Sequence, residues 1–282
     1  MQKGLGLGIS KITSAVLDNI ISGPLTANAT WKPGRNYRIT GDFNIPVGVT
    51  LTIEPGVNIL FDIDRPFIVN GQLIAQGTAD KLIYFKKGKA AEWGGIRFIN
   101  TQTNTMKYLH VSGGNADNNA HGGTGGGTDG GGIYVATGKT VNFDYCTITG
   151  NRATNNGGGS SGGTLTNCTI TGNTAAIGGG SSYGTLTNCT ITGNTANNGG
   201  GIYSSTLTNC TLWGNSAKTS GDQIYKGSEY VLSTVAWQQD STFVTTVADS
   251  GLATVAYSNI WRTTGVYGNP ANCLNTQPNF ID

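Results

Sequence analysis

Gly163-Thr-Leu-Thr-Asn-Cys-Thr-Ile-Thr-Gly-Asn173 recurs as Gly184-Thr-Leu-Thr-Asn-Cys-Thr-Ile-Thr-Gly-Asn194 and, slightly altered, as Ser205-Thr-Leu-Thr-Asn-Cys-Thr-Leu-Trp-Gly-Asn215. A weaker copy, Val141-Asn-Phe-Asp-Tyr-Cys-Thr-Ile-Thr-Gly-Asn151, precedes them. The shared cysteines Cys146, Cys168, Cys189 and Cys210 lie 22, 21 and 21 residues apart. Such a period belongs to leucine-rich repeats or β-solenoids. These units carry one or two Leu each, and their Gly/Asn/Ser returns are poor helix formers. A β-solenoid remains.

Parity locates the corners. In Cys168-Thr169-Ile170-Thr171, Cys168 and Ile170 face one side and the threonines the other. Leu165 must also face inward, yet it lies three residues before Cys168, so alternation breaks between them. Asn167 sits at the break, and Asn tolerates the left-handed backbone of a tight corner. Gly172-Asn173 makes the next corner. A third strand follows each Gly run: Ile133-Tyr134-Val135, Ser160-Ser161, Ser181-Ser182 and Ile202-Tyr203. The pattern predicts an all-β chain, a three-sided parallel β-helix.

Equivalent residues of successive coils then stack ~4.8 Å apart. Leu165, Leu186 and Leu207 form an aliphatic ladder extended by Phe143, and Asn167, Asn188 and Asn209 a ladder of corner amides, each with a donor and an acceptor. The four cysteines form an inward column. In-register Cβ atoms sit farther apart than the ~3.5–4.5 Å of a disulfide, so the column reads as free thiols, as does Cys273. Ser160 and Ser181 interrupt an inward column that carries Ile in the flanking coils.

The rest of the chain fits around this unit. Thr50–Ile53, Asn58–Phe61, Phe67–Val69, Leu73–Ala75 and Leu82–Phe85 read as short strands between Gly, Pro and Asp turns. Gly94–Phe98 and Tyr108–Val111 lead into the repeats. The solenoid is expected over 30–282, with its clearest repeats at 141–216 and terminal coils over 222–282, at Tyr230-Val-Leu and Val255–Ile260. The Gly-rich segment 113–132 reads as a mobile excursion from one corner. In residues 1–29, Ile9, Ile12, Val16 and Ile20 share a face at helical spacing, which predicts a short N-terminal helix that caps the solenoid or docks it to a partner.

A net charge of +2 and scattered basic residues argue against a nucleic-acid partner. Lys86, Lys87 and Lys89 read as a solvated turn. No segment is apolar enough to span a bilayer. After Met1 no clean signal-peptide pattern appears, because Lys11 and Asp18 interrupt the apolar run.

Leu51-Thr-Ile-Glu-Pro-Gly56, Val69-Asn-Gly-Gln-Leu-Ile-Ala-Gln-Gly77 and Trp93-Gly-Gly-Ile-Arg-Phe98 resemble the opening coils of bacterial right-handed β-helix proteins of the pectate-lyase-like superfamily. Gly130-Gly-Gly-Ile-Tyr134 and the Leu-Thr-Asn-Cys-Thr-Ile-Thr-Gly-Asn units resemble their central repeats, which also occur in chlamydial polymorphic membrane proteins. Val255-Ala-Tyr-Ser-Asn-Ile260 with Gln277-Pro-Asn-Phe280 resembles their terminal coil. The resemblance covers about 30–282 and implies the fold, with a right-handed coil. It leaves the activity open, because such folds host lyases, hydrolases, adhesins and viral spikes. Gly4-Leu-Gly-Leu-Gly-Ile9 is similar to the openings of some tailed-phage structural proteins, which implies a virion context.

Polysaccharide lyases and hydrolases of that superfamily need clustered carboxylates. The three clear repeats contain no acid, and Asp144 is the only one in the fourth copy. The remaining acidic pair is Asp62 and Asp64, ~7 Å apart on one face of a strand. That spacing would suit two catalytic carboxylates or a calcium ion, but a solvated strand end is the simpler reading. His110 and His121 belong to no zinc or nucleophile motif. No cofactor or metal is implied.

The most ordered surface feature is the threonine array: Thr147 and Thr149, Thr169 and Thr171, Thr190 and Thr192, then Thr211 with Trp213 in the last position. Thr164/Thr166, Thr185/Thr187 and Thr206/Thr208 make a similar array on the next side. Strand propensity alone would place Thr there. Three functions follow as expectations. The first is a non-enzymatic structural and recognition protein, displayed on a virion or cell surface, with surface glycans or other virion proteins as partners and Trp213 among the contacts. The second is a polysaccharide lyase or glycoside hydrolase. The third is an ice-binding protein using the Thr-x-Thr rows. The sequence leaves the oligomeric state open.

Overall fold

The computed structural model describes residues 18–100, 104–117 and 127–225, and beyond them Thr234 and short strands between Val231 and Ile260. It is an all-β parallel solenoid of about nine turns. The described residues contain no helix.

Three long sheets of nine, ten and eleven strands carry the chain, which passes through them in a fixed order once per turn. Sheet 1 includes Ile133–Val135, Ser160–Ser161, Ser181–Ser182 and Ile202–Tyr203. Sheet 2 includes Val141–Asp144, Thr164–Thr166, Thr185–Thr187 and Thr206–Thr208. Sheet 3 includes Thr147–Thr149, Thr169–Thr171, Thr190–Thr192 and Thr211–Trp213. Leu165 pairs with Leu186, and Leu186 with Leu207, in the register read from the repeat. Asn167, Asn188 and Asn209 turn the corner between sheets 2 and 3 with φ of 54°, 54° and 51°. One left-handed residue flips the parity and brings both Leu165 and Cys168 inside.

The core changes along the axis. In the first coils it is aromatic: Phe43 packs on Phe67 at 4.5 Å, and Phe61 stacks on Trp93 at 3.9 Å. In the repeats it narrows to Leu, Ile and Cys. The four cysteines are buried free thiols. Each donates to backbone carbonyls: Cys168 Sγ lies 3.2 Å from Thr166 O, and Cys189 Sγ 3.4 Å from Leu165 O. Hydrogen bonding within the thiol stack, followed by burial, pushes Cys189 up to about 12, so that thiol stays neutral. Ser160 and Ser181 remain buried because Ser160 Oγ donates to Ser181 Oγ at 2.9 Å, each supplying the other's partner.

A second amide column runs inside the fold. Asn151, Asn173, Asn194 and Asn215 are almost wholly buried. Asn194 Nδ2 donates to Asn215 Oδ1 and to Ile170 O, both at 2.9 Å. Its Oδ1 accepts the Asn173 backbone N–H at 2.9 Å and Asn173 Nδ2 at 3.0 Å. Gln223 Oε1 closes the column by accepting from Asn215 Nδ2 at 2.6 Å. The Gly runs lie against this column. A Cβ on Gly180 would meet Gly201 O at 2.6 Å and Asn194 Nδ2 at 3.0 Å.

Two expectations change. Ile20, assigned by spacing to a helical face, lies in the strand Asn19–Ile21 and is 61% exposed; that strand pairs with Asn36–Ile39. Ile9, Ile12 and Val16 lie outside the described residues. The Gly-rich segment is built into the solenoid at both ends. Asn115–Ala116 pairs with Arg152–Ala153, and Gly131 N donates to Gly157 O. Only 118–126, with His121, falls outside the described residues. Cys273 also falls outside them. Val231–Leu232, Val235–Trp237, Val247–Ala248, Val255–Ala256 and Asn259–Ile260 extend the three sheets as terminal coils.

Asn194→Ala removes a partner from several buried groups and is expected to cost about 3 kcal/mol, whereas Asn188→Gly keeps the left-handed corner, loses only exposed bonds and costs under about 1 kcal/mol. Denaturant midpoints compare the two; equal losses would refute a dominant inner column. Cys146, Cys168, Cys189 and Cys210 are expected to resist a thiol reagent in the native protein and to react in denaturant without reductant. Intact-mass evidence of two disulfides among them would contradict this.

Candidate functional site

The acidic pair read from the sequence is divided. Asp62 receives Arg38 Nε at 2.8 Å and Nη2 at 2.5 Å, and the Lys89 backbone N–H at 2.8 Å. Burial alone would raise its pKa, but the Arg38 and Lys89 hydrogen bonds and the Arg38 charge together hold it below the ordinary carboxylate range. Arg38 also reaches Asp18 at 3.3 Å. Asp62 therefore locks three neighbouring segments and has no free edge for catalysis.

Asp64 joins a different group. Its carboxylate, that of Glu92 and that of Asp117 lie within 4.8 Å of one another, each half-buried. Three convergent carboxylates have the donor chemistry of a hard divalent cation. Sequence reasoning found no third acid because Glu92 and Asp117 arrive from other coils of unequal length. Only the coil geometry brings 64, 92 and 117 to one corner.

The threonine rows are present as read. Thr147, Thr169, Thr190 and Thr211 are consecutive partners on sheet 3, and so are Thr149, Thr171, Thr192 and Trp213. Ile148, Ile170, Ile191 and Leu212 point inward between them and are buried. Trp213 is 44% exposed. The rows continue toward the N-terminus through His110 and Ser112, which pair with Thr147 and Thr149. The His110 ring lies 5.3 Å from that of Tyr84, over which Lys86 Nζ sits at 5.1 Å. Burial, then the Lys86 charge, lowers the His110 pKa and keeps its imidazole neutral.

The corner beside this face is polar along its length. Asn209 Nδ2 donates to Asn188 Oδ1 at 2.7 Å, Asn188 Nδ2 to Asn167 Oδ1 at 3.3 Å, and Asn167 Nδ2 to Asp144 Oδ1 at 3.0 Å. Lys107 pairs with Asp144 at 3.3 Å and lies over the stacked rings of Tyr108 and Tyr145. Asp144, the lone acid of the repeats, is thus a ladder end.

No protein family, curated protein or solved structure matches the chain.

The Thr-x-Thr grid has spacings of ~6.6 Å along a strand and ~4.8 Å between coils. Trp213 ends one row after three threonines, and Ser112 and His110 end both rows on the other side. We expect no thermal hysteresis from the protein and an intact fold in the double variant Thr171→Tyr/Thr192→Tyr, because both side chains point outward. Ice shaping by the parent that disappears in the double variant would reverse this expectation.

Proposed function

We propose that the chain is a right-handed, three-sided β-helix of the pectate-lyase-like kind and acts as a non-enzymatic recognition element on a virion or cell surface, presenting ordered polar faces to glycans. The observation that carries this reading is the register of outward threonines over a buried aliphatic layer, with exposed aromatics beside them. Thr147, Thr149, Thr169, Thr171, Thr190, Thr192 and Trp213 form one such face. The scaffold fixes these side chains before any ligand arrives, which lowers the entropy lost on binding. Hydroxyls serve as donors and acceptors for sugar hydroxyls, and aromatic rings offer flat apolar area.

The acidic triad of Asp64, Glu92 and Asp117 favours the alternative, a polysaccharide lyase or glycoside hydrolase. Against it stand the occupied Asp62 and the acid-free faces of the central repeats. Purified protein on a glycan array, with parallel product analysis with and without calcium, separates the readings. Retention of glycans without cleavage is expected. Turnover that Asp64→Asn abolishes would replace recognition with catalysis.

A further inference from the structure

The corner between sheets 1 and 2 carries a furrow remote from the threonine rows. Two clefts, of about 400 and 300 Å³, follow one another along this corner with Lys139 in the wall of both. The first is lined by amides including Asn70, Gln72 and Asn100. The second is walled by Asp129, Tyr134 and Tyr183. Together they run past six consecutive strands of sheet 1, from Phe43–Ile45 to Ser181–Ser182. Five coil steps make a track of ~24 Å. Its corners stay low because Gly48 and Gly138, at φ of 83° and 77°, have open space where a side chain would begin.

The polar groups of this track are held in place. Lys139 Nζ donates to Asn100 Oδ1 at 3.3 Å, and Asn70 Nδ2 to Asn44 Oδ1 at 2.9 Å. Asp129 Oδ1 accepts from the Asn156 backbone N–H at 3.0 Å and from Asn156 Nδ2 at 3.1 Å. Tyr183, 53% exposed, is braced edge-on by Tyr203 at 5.3 Å. Behind the wall lies Arg97, 1% exposed, with its guanidinium 6.0 Å from the Tyr134 ring. Its Nη1 donates to the carbonyls of Asp129 and Gly130. Its Nε and Nη2 are buried without hydrogen-bond partners among the described residues. Through Nη1, Arg97 ties the Asp129–Gly130 backbone beneath the Tyr134 ring.

We propose that this furrow binds a linear, uncharged glycan chain lying along the solenoid axis. This rests on the glycan-recognition reading above and gives it a second track. Tyr183 and Tyr134 offer ring faces to the apolar faces of sugar rings, while the amides, Asp129 and Lys139 meet hydroxyls. Among the described residues, one acid and one ammonium leave the lining with no net charge to select a polyanion. An extended peptide is the poorer occupant. Such peptides are commonly held by adding a strand to an open sheet edge, and here Phe67–Val69, Ile96–Phe98 and Ile133–Val135 are paired on both sides.

The test is titration of neutral oligosaccharides of increasing length into the full chain and into Tyr183→Ala, Lys139→Ala and Trp213→Ala, with thermal midpoints confirming that each variant folds. Affinity is expected to rise with length until the chain fills the track. Tyr183→Ala and Lys139→Ala should each weaken the long chains about tenfold, the loss of one stacking or charge-assisted contact. Trp213→Ala should weaken only binding at the threonine face and leave the length-dependent affinity assigned to the furrow within about twofold, because Trp213 lies outside that contact. Loss in Trp213→Ala with retention in both furrow variants would overturn the furrow while leaving glycan recognition standing. Failure of the parent to bind any glycan would overturn both. Preference for polyanionic chains, or capture of an extended peptide that Tyr183→Ala abolishes, would overturn the assigned ligand class.

Discussion

The structure depends on a buried line of amides. Asn151, Asn173, Asn194 and Asn215 each satisfy backbone and side-chain groups of neighbouring coils at a corner where water does not reach. A carboxamide suits this role because it carries donor and acceptor in one plane, so identical residues can pair indefinitely along an axis. Asp could not repeat there without stacking buried charges, and Leu would leave the corner N–H groups unmet. One glycine of each run, such as Gly159 or Gly180, is required beside the column because a Cβ there would meet the next coil's carbonyl oxygen and then a column amide. Column, glycines and inward Ile therefore form one unit.

The two amide columns do different work. The outer one, through Asn167, Asn188 and Asn209, sits at a solvent-facing turn whose first demand is a left-handed backbone. Its side-chain bonds add to a geometry already fixed by φ. The inner one carries buried polarity and tolerates no gap, which is why Gln223 extends a longer side chain to close it where the strict repeat ends.

Legibility followed periodicity. The strands, the parity break at Asn167, the thiol column and the outward threonines could all be read, because each repeats every 21 or 22 residues and needs only local alternation. Asn173 was visible as a corner residue, but its burial was not, since that depends on how the following Gly run folds back. The meeting of Asp64, Glu92 and Asp117 was hidden for the opposite reason: those coils differ in length, so nothing in the spacing brings the three together. Ile20 misled because a strand residue with an exposed side chain fits helical spacing equally well over so short a segment.

Near-identity of successive coils carries a hazard of its own. A strand displaced by one whole repeat would find the same Leu, Cys, Ile and Asn partners waiting, so the central region alone cannot distinguish its proper register from a slipped one. The degeneracy ends in the opening coils. Trp31, Tyr37, Phe43, Phe61, Phe67 and Trp93 interlock as shapes that occur once each. That aromatic block acts as a key at one end of a uniform rack, setting the count from which every later coil takes its place.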